Sequence, residues 1–448
     1  MVRADLVADA AGLLDPGWLT AQRWYGANDR RLRDVTLADA APTSADGDRT
    51  AWLLVVEANF ADAPQIRYLV PAVADGERGP LREPQDGEGI WRGLAAGILE
   101  HAVLNGESGS FRAERARAMD ELIPAGAATM KELEEQRLGV EQTNTSVALG
   151  DRLILKVYRR LESGENPELE VGAFLASVGC RVVPRMAGAI RYLREASAAA
   201  AMLQERVNAS GDAWGQLTAM LGGAEGGPKA AIEAAVRIGG VTAELHAALA
   251  ARPQDLAFPV RTATGEEQNG WLADAMRQAD RTERAVSGPV AEQLAPLLPA
   301  IRKRIERSFA AAGRARVTRI HGDYHLGQLL RTGAGYSVVD FEGEPARPLA
   351  MRRAASPPER DLAGMLRSLD YAARTVERGA SGGFPADPWL ARARDAFLAA
   401  YAADAPAAPD PNLLEAFELE KACYELAYEA ANRPDWTWLP LGALGRLA

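Results

Sequence analysis

The segment that most constrains this chain is residues 320–345, IHGDYHLGQLLRTGAGYSVVDFEGEP. It predicts a polar loop, a short strand and a second polar loop. The first loop contains Asp323 and, five residues later, Gln328, and Asp340 follows the strand. An isolated Asp in a loop is usually a cap or turn residue. The ordered set of three is not explained by turn chemistry alone and predicts a functional site.

The order of these three groups is the order that phosphoryl transfer needs. A carboxylate accepts the proton of the attacking hydroxyl, while an amide oxygen and a second carboxylate hold magnesium on the phosphates. We therefore predict Asp323 as the catalytic base, Gln328 and Asp340 as the metal ligands, and ATP and Mg²⁺ as cofactors. Protein kinases have the same order with Asn as the amide. Gln keeps the oxygen ligand and adds one methylene.

A lysine that binds the nucleotide phosphates is expected on an upstream strand. Lys156 is the one charge within the apolar run of RLILKVY, residues 152–158. We predict that a carboxylate on the following helix pairs with it, namely Glu170, with Glu168 as the alternative. Asn166 and Pro167 suit the start of that helix. The competing interpretation is a charge that keeps an edge strand soluble.

Two further segments are candidates for nucleotide contacts. Residues 139–150 form a turn between strands that is rich in hydroxyls and amides, and its backbone and side chains are expected to cover the phosphates, although a plain hairpin loop explains the pattern nearly as well. Residues 204–207 end the last strand before a helical region, where main-chain groups would meet adenine. The candidate residues are Thr143, Asn144, Thr145, Ser146, Glu205 and Val207.

Length and pattern predict several packed units. The chain has 448 residues, which exceeds the usual size of a single core. Alternating apolar residues from about 50 to 72 predict two strands. We predict a β-rich N-terminal subdomain over residues 1–120, a strand-dominated lobe with one helix over 121–207, and a helical lobe over 208–448.

Charge and composition exclude some classes of protein. The formal net charge is −10, which argues against a nucleic-acid partner because such binding depends on Lys and Arg. No apolar run is long enough for a membrane span and no basic leader begins the chain, so we expect a cytoplasmic protein without a membrane partner. The two cysteines, Cys180 and Cys423, are too few for a disulfide scaffold or a thiolate zinc site.

The motifs HGDYHLGQ and DFEGEP resemble those of aminoglycoside-phosphotransferase-type kinases, and within them the bacterial maltokinase group. Similar segments include LTAQRWYG, EQTNTSVALGDRLILKVYRRLESGENPELEVGAFL, RDLAGMLRSLDYAA and KACYELAYEAANRPDWTWLPL. The resemblance covers most of the chain. It implies an α+β, protein-kinase-like bilobal fold with an N-terminal β-rich cap subdomain and a mostly helical C-terminal lobe that holds the sugar.

The resemblance also implies an ATP-dependent sugar kinase. It does not decide which sugar accepts the phosphate, because two similar groups of kinases differ in their acceptor. Maltokinases make maltose 1-phosphate, while a closely similar group of glucosamine kinases makes glucosamine 6-phosphate. Residues 27–29 depart from the maltokinase pattern, which favours glucosamine. An aminoglycoside kinase and a pseudokinase-like binding module are further alternatives. The sequence does not distinguish a monomer from a homodimer.

Candidate sugar contacts follow from chemistry and position. A cationic amino group is best held by carboxylates, and sugar rings stack on aromatic side chains. The helix around residues 420–430 combines both kinds of side chain, although a surface helix with ion pairs would show the same pattern. A cap at the start of a helix is the favoured role of Asp361, with a sugar contact as the alternative. The full candidate set is His325, Asp361, Lys421, Tyr424, Glu425, Glu429 and Trp436.

Overall fold

The computed structural model describes residues 4–76, 79–124, 126–139, 143–345, 347–379 and 384–448. The chain divides into two compact units. The first contains the residues up to 176 together with 184–208, and the second contains residues 177–183 and 209–448. No helix in the described ranges is both long and apolar enough to cross a membrane.

The first unit begins with a small antiparallel sheet. Two short helices, α1 (Ala4–Asp9) and α2 (Pro16–Thr20), precede the strands β1 (Leu32–Thr43), β2 (Thr50–Phe60) and β3 (Ile66–Ala74), which pair in that order. Alternate residues of β2 enter different cores, because successive side chains of a strand point to opposite faces. Leu54 and Val56 pack with Trp24 and Tyr68, whereas Leu53 packs with the helix that follows the sheet.

The remainder of the first unit is built around a larger antiparallel sheet. Its strands run in the order β4-β5-β9-β10-β8-β7-β6. The elements in chain order are α3 (Ile90–Leu99), β4 (Val103–Asn105), β5 (Ser110–Arg115), α4 (Ala118–Leu122), α5 (Ala127–Glu132), β6 (Glu135–Arg137), β7 (Asn144–Leu149), β8 (Leu153–Tyr158), α6 (Pro167–Val178), β9 (Met186–Leu193) and β10 (Ser197–Glu205).

The strand pairing corrects one predicted boundary. The sequence predicts an N-terminal subdomain that extends to residue 120, but β5 pairs with β9 along Ser110–Arg115. Buried Asp39 of the small sheet also accepts hydrogen bonds from the main chain of Glu107 and Ser108 in the β4–β5 turn. The change from the first sheet to the second therefore occurs before residue 103. Sequence periodicity missed it because β4 and β5 are short.

The second unit is mostly helical, as predicted. Its elements are α7 (Ala213–Leu221), α8 (Gly227–Leu249), β11 (Arg261–Thr262), α9 (Gly265–Ala285), α10 (Gly288–Leu294), α11 (Leu298–Ala311), β12 (Arg316–Val317), β13 (Leu329–Thr332), β14 (Gly335–Val338), α12 (Leu349–Arg352), α13 (Glu359–Gly379), α14 (Ala386–Asp404), α15 (Pro411–Asn432) and α16 (Trp438–Leu447). The architecture confirms the predicted α+β class with a β-rich N-terminal region and a helical C-terminal part.

Two helices of the second unit matter most for the site. Helix α13 is strongly amphipathic and buries the side chains of Asp361 and Arg367 along with its apolar face. Helix α15 begins at Pro411 after the N-cap Asp410, whose carboxylate accepts from the main chain of Asn412. The α15 core packs against α9, α11 and α16 through a shared apolar cluster. Helix α13 lies next to the catalytic loop, since Leu326 N donates to Ser368 Oγ at 3.1 Å.

Candidate active site

The predicted catalytic loop lies between β12 and β13. His321 fixes its geometry, because its Nε2–H donates to Val339 O at 2.9 Å and its Nδ1 accepts from Asp323 N at 3.3 Å. The imidazole thus ties the residue that we predict as the base to the end of β14, next to Asp340. His321 therefore braces the catalytic loop.

The buried carboxylate of Asp361 also holds this loop in place. Asp361 Oδ2 accepts from His321 N at 2.8 Å, and Oδ1 accepts from Gly322 N at 2.9 Å. Asp361 is only 1% exposed. Burial raises the pKa of this carboxyl. The hydrogen bonds from His246 and from Gly322 N lower it by more, so the net pKa lies below its usual value. Asp361 therefore anchors the loop, since both of its oxygens accept hydrogen bonds inside the protein. The alternative role as a sugar contact stays a prediction.

The two predicted metal ligands lie side by side. Gln328 ends a short 3-10 turn, and its Nε2 donates to Asp340 Oδ2 at 3.2 Å. Asp340 adopts a left-handed backbone conformation with φ of 69°, which a non-glycine residue rarely adopts outside functional sites. Carboxylate oxygens of Asp340 and Glu342 also lie within 4.8 Å of each other. These oxygen donors fit Mg²⁺, which prefers hard oxygen ligands.

His325 has a different environment from the one predicted. Its Nδ1 accepts from Gly327 N at 3.1 Å, and its Nε2 lies 3.3 Å from Gln328 Nε2. Burial lowers its pKa, although nearby Asp323 acts in the opposite direction. His325 therefore caps the turn that presents Gln328. It does not line the cavity that opens beside Asp323, and its contact with a sugar stays a prediction.

A cavity of about 500 Å³ opens beside Asp323 within the second unit. That volume suits a small-molecule ligand, since such sites occupy roughly 300–1,000 Å³. We call it the acceptor cavity. Its lining residues are Asp274, Arg277, Gln278, Arg281, Gly322, Asp323, Tyr324, Glu344, Arg347, Pro348, Met351, Arg360, Asp361, Gly364, Phe417, Glu420, Lys421 and Tyr424.

Lys421 lies close to two acidic side chains of this cavity. Its Nζ lies 3.6 Å from Asp323 Oδ1 and 3.5 Å from Glu344 Oε1, and 4.7 Å from the ring centroid of Tyr424. Burial lowers the pKa of Lys421, but Glu344 and Asp323 raise it by more, so the ammonium stays charged. The lysine therefore compensates two acids that would otherwise repel each other.

Further acids of the cavity are paired with arginines. Arg347 Nε lies 2.6 Å from Glu344 Oε2, and Arg360 Nη1 lies 3.0 Å from both oxygens of Glu420. Burial raises the pKa of Glu344, yet Lys421 and Arg347 more than offset this, so its net pKa is lowered. The cavity thus offers the Glu344 carboxylate in its ionised form at neutral pH.

The face of α15 that lines the cavity contains some of the residues that the sequence predicts as sugar contacts. Phe417, Glu420, Lys421 and Tyr424 have the spacing i, i+3, i+4, i+7 and line the cavity. This supports the predictions for Lys421 and Tyr424. Glu420 was missed because the predicted face was set about one turn too far along the helix.

The other three predicted sugar contacts lie outside this lining. Glu425 binds Arg367, with Nη2 to Oε2 at 2.8 Å. Glu429 is buried and binds Arg433 at 2.6 Å, while Trp436 lies against the same guanidinium, 5.3 Å from its Cζ. Glu425 thus joins α15 to α13, and of these contacts only the Glu429–Arg433 pair has the i,i+4 spacing of a helix ion pair. Their roles in binding sugar stay predictions.

The predicted nucleotide lysine lies on β8 of the first unit. Lys156 Nζ is 2.9 Å from Glu168 Oε2, and Tyr158 OH donates to the same oxygen at 2.8 Å. Both charged side chains are nearly buried. A buried ion pair is costly unless its geometry and hydrogen bonds are good, so this arrangement is more typical of a functional pair than of a solubility charge.

The carboxylate partner of Lys156 is not Glu170, the residue that the sequence favours. Two residues along a helix correspond to about 200° of rotation, so Glu168 and Glu170 point in different directions. Asn166 Oδ1 caps α6 by accepting from Glu168 N at 2.8 Å, which places Glu168 in the first turn. Glu168, the alternative, is the partner, and Glu170 is only partly buried.

The predicted phosphate-covering segment divides between the two faces of its sheet. Residues 140–142 lie outside the described residues, and Thr143 just after them is exposed. Asn144 and Ser146 pair with Tyr158 and Lys156 across the β7–β8 hairpin, so they share the face of the nucleotide lysine.

Thr145, between them, points to the opposite face of this sheet. Its Oγ1 accepts from Arg159 Nε at 2.7 Å, and this guanidinium lies over the ring of Trp24 at 5.0 Å. Thr145 therefore joins the sheet to the N-terminal subdomain, and a contact from its side chain with the phosphates is contradicted.

The predicted adenine segment follows β10. Glu205 N donates to Arg185 O at 2.9 Å, and its carboxylate binds the Arg185 guanidinium at 2.9 Å. The Glu205 side chain and amide are therefore engaged in the sheet. Val207, two residues beyond the strand, is partly exposed. Main-chain contacts from this segment to adenine stay a prediction.

The chain matches two described protein families. The Phosphotransferase enzyme family matches residues 134–407, and the Maltokinase N-terminal cap domain matches residues 18–89. The first match covers more than half of the chain and contains the catalytic loop. The resemblance stated from the motifs is thereby confirmed.

Two curated relatives from different organisms are both named glucosamine kinase. A glucosamine kinase of Streptacidiphilus jiangxiensis is 29% identical over 392 residues, which cover 84% of this chain and 85% of the relative. A glucosamine kinase of Mycolicibacterium smegmatis is 29% identical over 327 residues, covering 70% and 79% of the two chains.

Solved structures agree with these sequence relatives. A glucosamine kinase in crystal form B superposes with a TM-score of 0.76 at 25% identity, covering 99% of both chains. A glucosamine kinase in complex with glucosamine, ADP and inorganic phosphate gives a TM-score of 0.73, also at 25% identity and 99% coverage of both. The predicted fold is thus confirmed over nearly the whole chain.

Proposed function

The chain belongs to the phosphotransferase enzyme family and is an ATP-dependent sugar kinase, and we propose that its acceptor is glucosamine, phosphorylated at O6. The observation that carries the proposal is the acceptor cavity, whose lining combines the buried carboxylates of Glu344 and Glu420 with the predicted base Asp323. Its relatives named glucosamine kinase support the same acceptor.

Asp323 is the proposed general base. A sugar hydroxyl in the acceptor cavity would donate its proton to the Asp323 carboxylate while its oxygen attacks the γ-phosphorus in line with the leaving ADP oxygen. The bonds of His321 and Asp361 to the loop fix the direction of that carboxylate before substrate binds. No covalent phosphoenzyme is needed.

Gln328 and Asp340 are the proposed holders of Mg²⁺, with Glu342 as an additional oxygen donor. When bound, this ion would neutralise charge that develops on the transferred phosphates. Lys156, held by Glu168, would bind the nucleotide phosphates in the same way as the paired lysine of protein kinases.

The 2-amino group of glucosamine distinguishes the proposed acceptor from glucose and maltose. Charge-assisted hydrogen bonds are roughly twice as strong as neutral ones. Glu344 and Glu420 are carboxylates of the cavity wall that lie in reach of a bound ammonium group, and both are buried. Their present arginine and lysine partners would have to share them with the ligand.

The test is an ATP-consumption assay with Mg²⁺ on glucosamine, N-acetylglucosamine, glucose, maltose and an aminoglycoside, with phosphorus NMR of the products. We expect the highest kcat/KM for glucosamine and a 6-phosphate product. N-acetylglucosamine is the matched control, because acetylation removes the positive charge and leaves O6 in place. Equal turnover of the two sugars would refute recognition of the amine.

Maltose is the second candidate acceptor. The match of residues 18–89 to the Maltokinase N-terminal cap domain favours it specifically. In the same assay, preferred turnover of maltose to the 1-phosphate would replace the glucosamine proposal. Preferred turnover of the aminoglycoside would instead indicate a resistance enzyme.

The nucleotide role of Lys156 and Glu168 has a separate test. Glu168→Gln removes the charge that faces Lys156, so we expect kcat/KM for ATP to fall by at least about tenfold. Glu170→Gln changes the same residue type two positions away and should leave kcat/KM within about twofold of the wild type. A larger loss in Glu170→Gln would restore the original assignment.

A further inference from the structure

A buried histidine lies behind the catalytic loop. His246, on α8, is 1% exposed, and its Nε2 lies 3.1 Å from Asp361 Oδ2. Its Nδ1 lies 2.9 Å from the hydroxyl of Tyr401 on α14. The three side chains form a continuous hydrogen-bonded chain that ends at the main-chain amides of the loop.

The chemistry of Asp361 determines which nitrogen of His246 carries the proton. Asp361 Oδ2 already accepts from His321 N, and a carboxylate that binds amides acts as an acceptor. His246 Nε2 must therefore donate, which leaves Nδ1 as an acceptor for the Tyr401 hydroxyl. A second partner that fixes the tautomer of a histidine is a recurrent way of orienting a functional imidazole.

The position of Asp361 in turn controls the base. Its two oxygens hold the amides of His321 and Gly322, the two residues directly before Asp323. A buried carboxylate that lost one of its donors would be partly unsatisfied and would rotate toward another. A displacement of the base by about 1 Å is enough to lower turnover by roughly a hundredfold.

We propose that His246 is a positioning residue for the catalytic base, acting through Asp361, and that Tyr401 sets its orientation. The inference rests on the kinase activity and not on the identity of the sugar. It concerns kcat more than substrate binding, since neither side chain lines the acceptor cavity.

A second cavity makes this proposal testable by chemical rescue. It has a volume of about 170 Å³ and is lined by His246, Tyr401, Thr318 and Glu359 among others. Removal of the imidazole by His246→Ala would enlarge it further. Free imidazole could then occupy the vacated position and donate to Asp361, a readout that a purely structural role would not give.

The experiment compares kcat and both KM values of the wild type and His246→Ala, with and without imidazole. We expect kcat to fall about 10- to 100-fold, with each KM within about threefold of the wild type, and imidazole to restore at least part of kcat. His101→Ala is the matched control, because His101 is exposed in the first unit. Its kcat should not change or respond to imidazole.

A pair of isosteric variants keeps the test decisive if the alanine variant folds poorly. His246→Gln retains an amide donor and His246→Leu does not, so kcat should be at least about tenfold higher in the glutamine variant at similar Tm. Tyr401→Phe should lower kcat by a smaller factor, without rescue by imidazole. Equal kcat in the glutamine and leucine variants, or a wild-type kcat in His246→Ala, would overturn the proposal.

Discussion

Two of the walls of the acceptor cavity differ in how their residues are held in place. On the loop wall, Gly322, Asp323 and Tyr324 are fixed by buried hydrogen bonds, including one of 2.9 Å between Tyr324 OH and Thr242 Oγ1. On the opposite wall, α9 contributes Asp274, Arg277, Gln278 and Arg281, and this helix buries only small side chains.

This difference indicates that the two walls have different roles in the reaction. Buried and fully bonded polar groups are rigid and expensive to rearrange, which suits the residues that must align a proton acceptor. Exposed ion pairs contribute little and rearrange readily, which suits a surface that adapts to the shape of an acceptor. We therefore expect chemistry to depend on the loop wall and tolerance of acceptor shape to depend on the α9 wall, while recognition of the amine depends on Glu344 and Glu420.

The largest expected effect is on the loop wall, in Asp323→Asn. The amide keeps the size of the side chain but cannot accept the proton of the hydroxyl, so kcat should fall about 10²- to 10⁴-fold. Steady-state kinetics and calorimetric titration with ATP measure the two consequences, and ATP affinity should stay within about twofold.

The control for that variant is Asp404→Asn, at an exposed position at the end of α14. Its kcat should equal that of the wild type. Near-normal turnover in Asp323→Asn would remove this residue from the role of base.

The next effect concerns the lysine beside the base. Lys421→Met keeps the packing on Tyr424 but removes the ammonium 3.6 Å from Asp323. Asp323 and Glu344 would then repel each other, and we expect kcat/KM for the sugar to fall about 10- to 100-fold. The exposed Lys303→Met on α11 is the control in the same assay. An unchanged kcat/KM in Lys421→Met would show that the two acids are compensated by the arginines alone.

The same contrast explains what the sequence could predict. Asp323, Gln328 and Asp340 lie within eighteen residues of one another, and their order alone indicated phosphoryl transfer. The α9 wall lies about forty residues before the loop, and its charges resemble those of any exposed helix. Nothing in the local pattern distinguishes a charge that lines a cavity from one that faces solvent.

Two other differences have local physical reasons. Glu168 and Glu170 both satisfy the expected spacing from Lys156 and both lie in the first turn of α6. Because they point about 200° apart around the helix, only one of them can face Lys156, and it is Glu168. Glu344 lies four residues after Asp340 in the recognised motif, so its charge was visible. Its role was missed because the lysine that pairs with it is far away in sequence.

A smaller effect is expected on the α9 wall itself. Asp274→Asn removes a charge from that wall, so KM for the sugar should change about two- to fivefold while kcat stays within about twofold. The same variant assayed on glucosamine and glucose shows whether the change depends on the amine. A large fall in kcat would break the proposed division between the two walls.

The smallest effect concerns how α9 is attached. Glu267 completes a capping box with Thr264 and binds Arg261 of β11 at 2.6 Å. The hydrogen bonds from Arg261 lower the pKa of Glu267 to about 2. Because the pair is partly exposed and screened, Glu267→Gln should cost only about 0.5–1 kcal/mol, and Tm should fall by about 1–4 °C at pH 7.

The pH dependence of that variant has a defined sign. The folded-state pKa of Glu267 lies below its usual value of 4.5, so its stabilisation is present above about pH 4.5 and is lost as the pH falls toward 2. The difference in Tm between wild type and Glu267→Gln should therefore be constant from pH 5 to 8 and shrink in more acidic buffer. The neighbouring exposed Glu266→Gln should show no such difference at any pH. A difference that grows toward acid pH would mean that α9 is held by other groups, and that its wall is less independent of the loop wall than the contacts indicate.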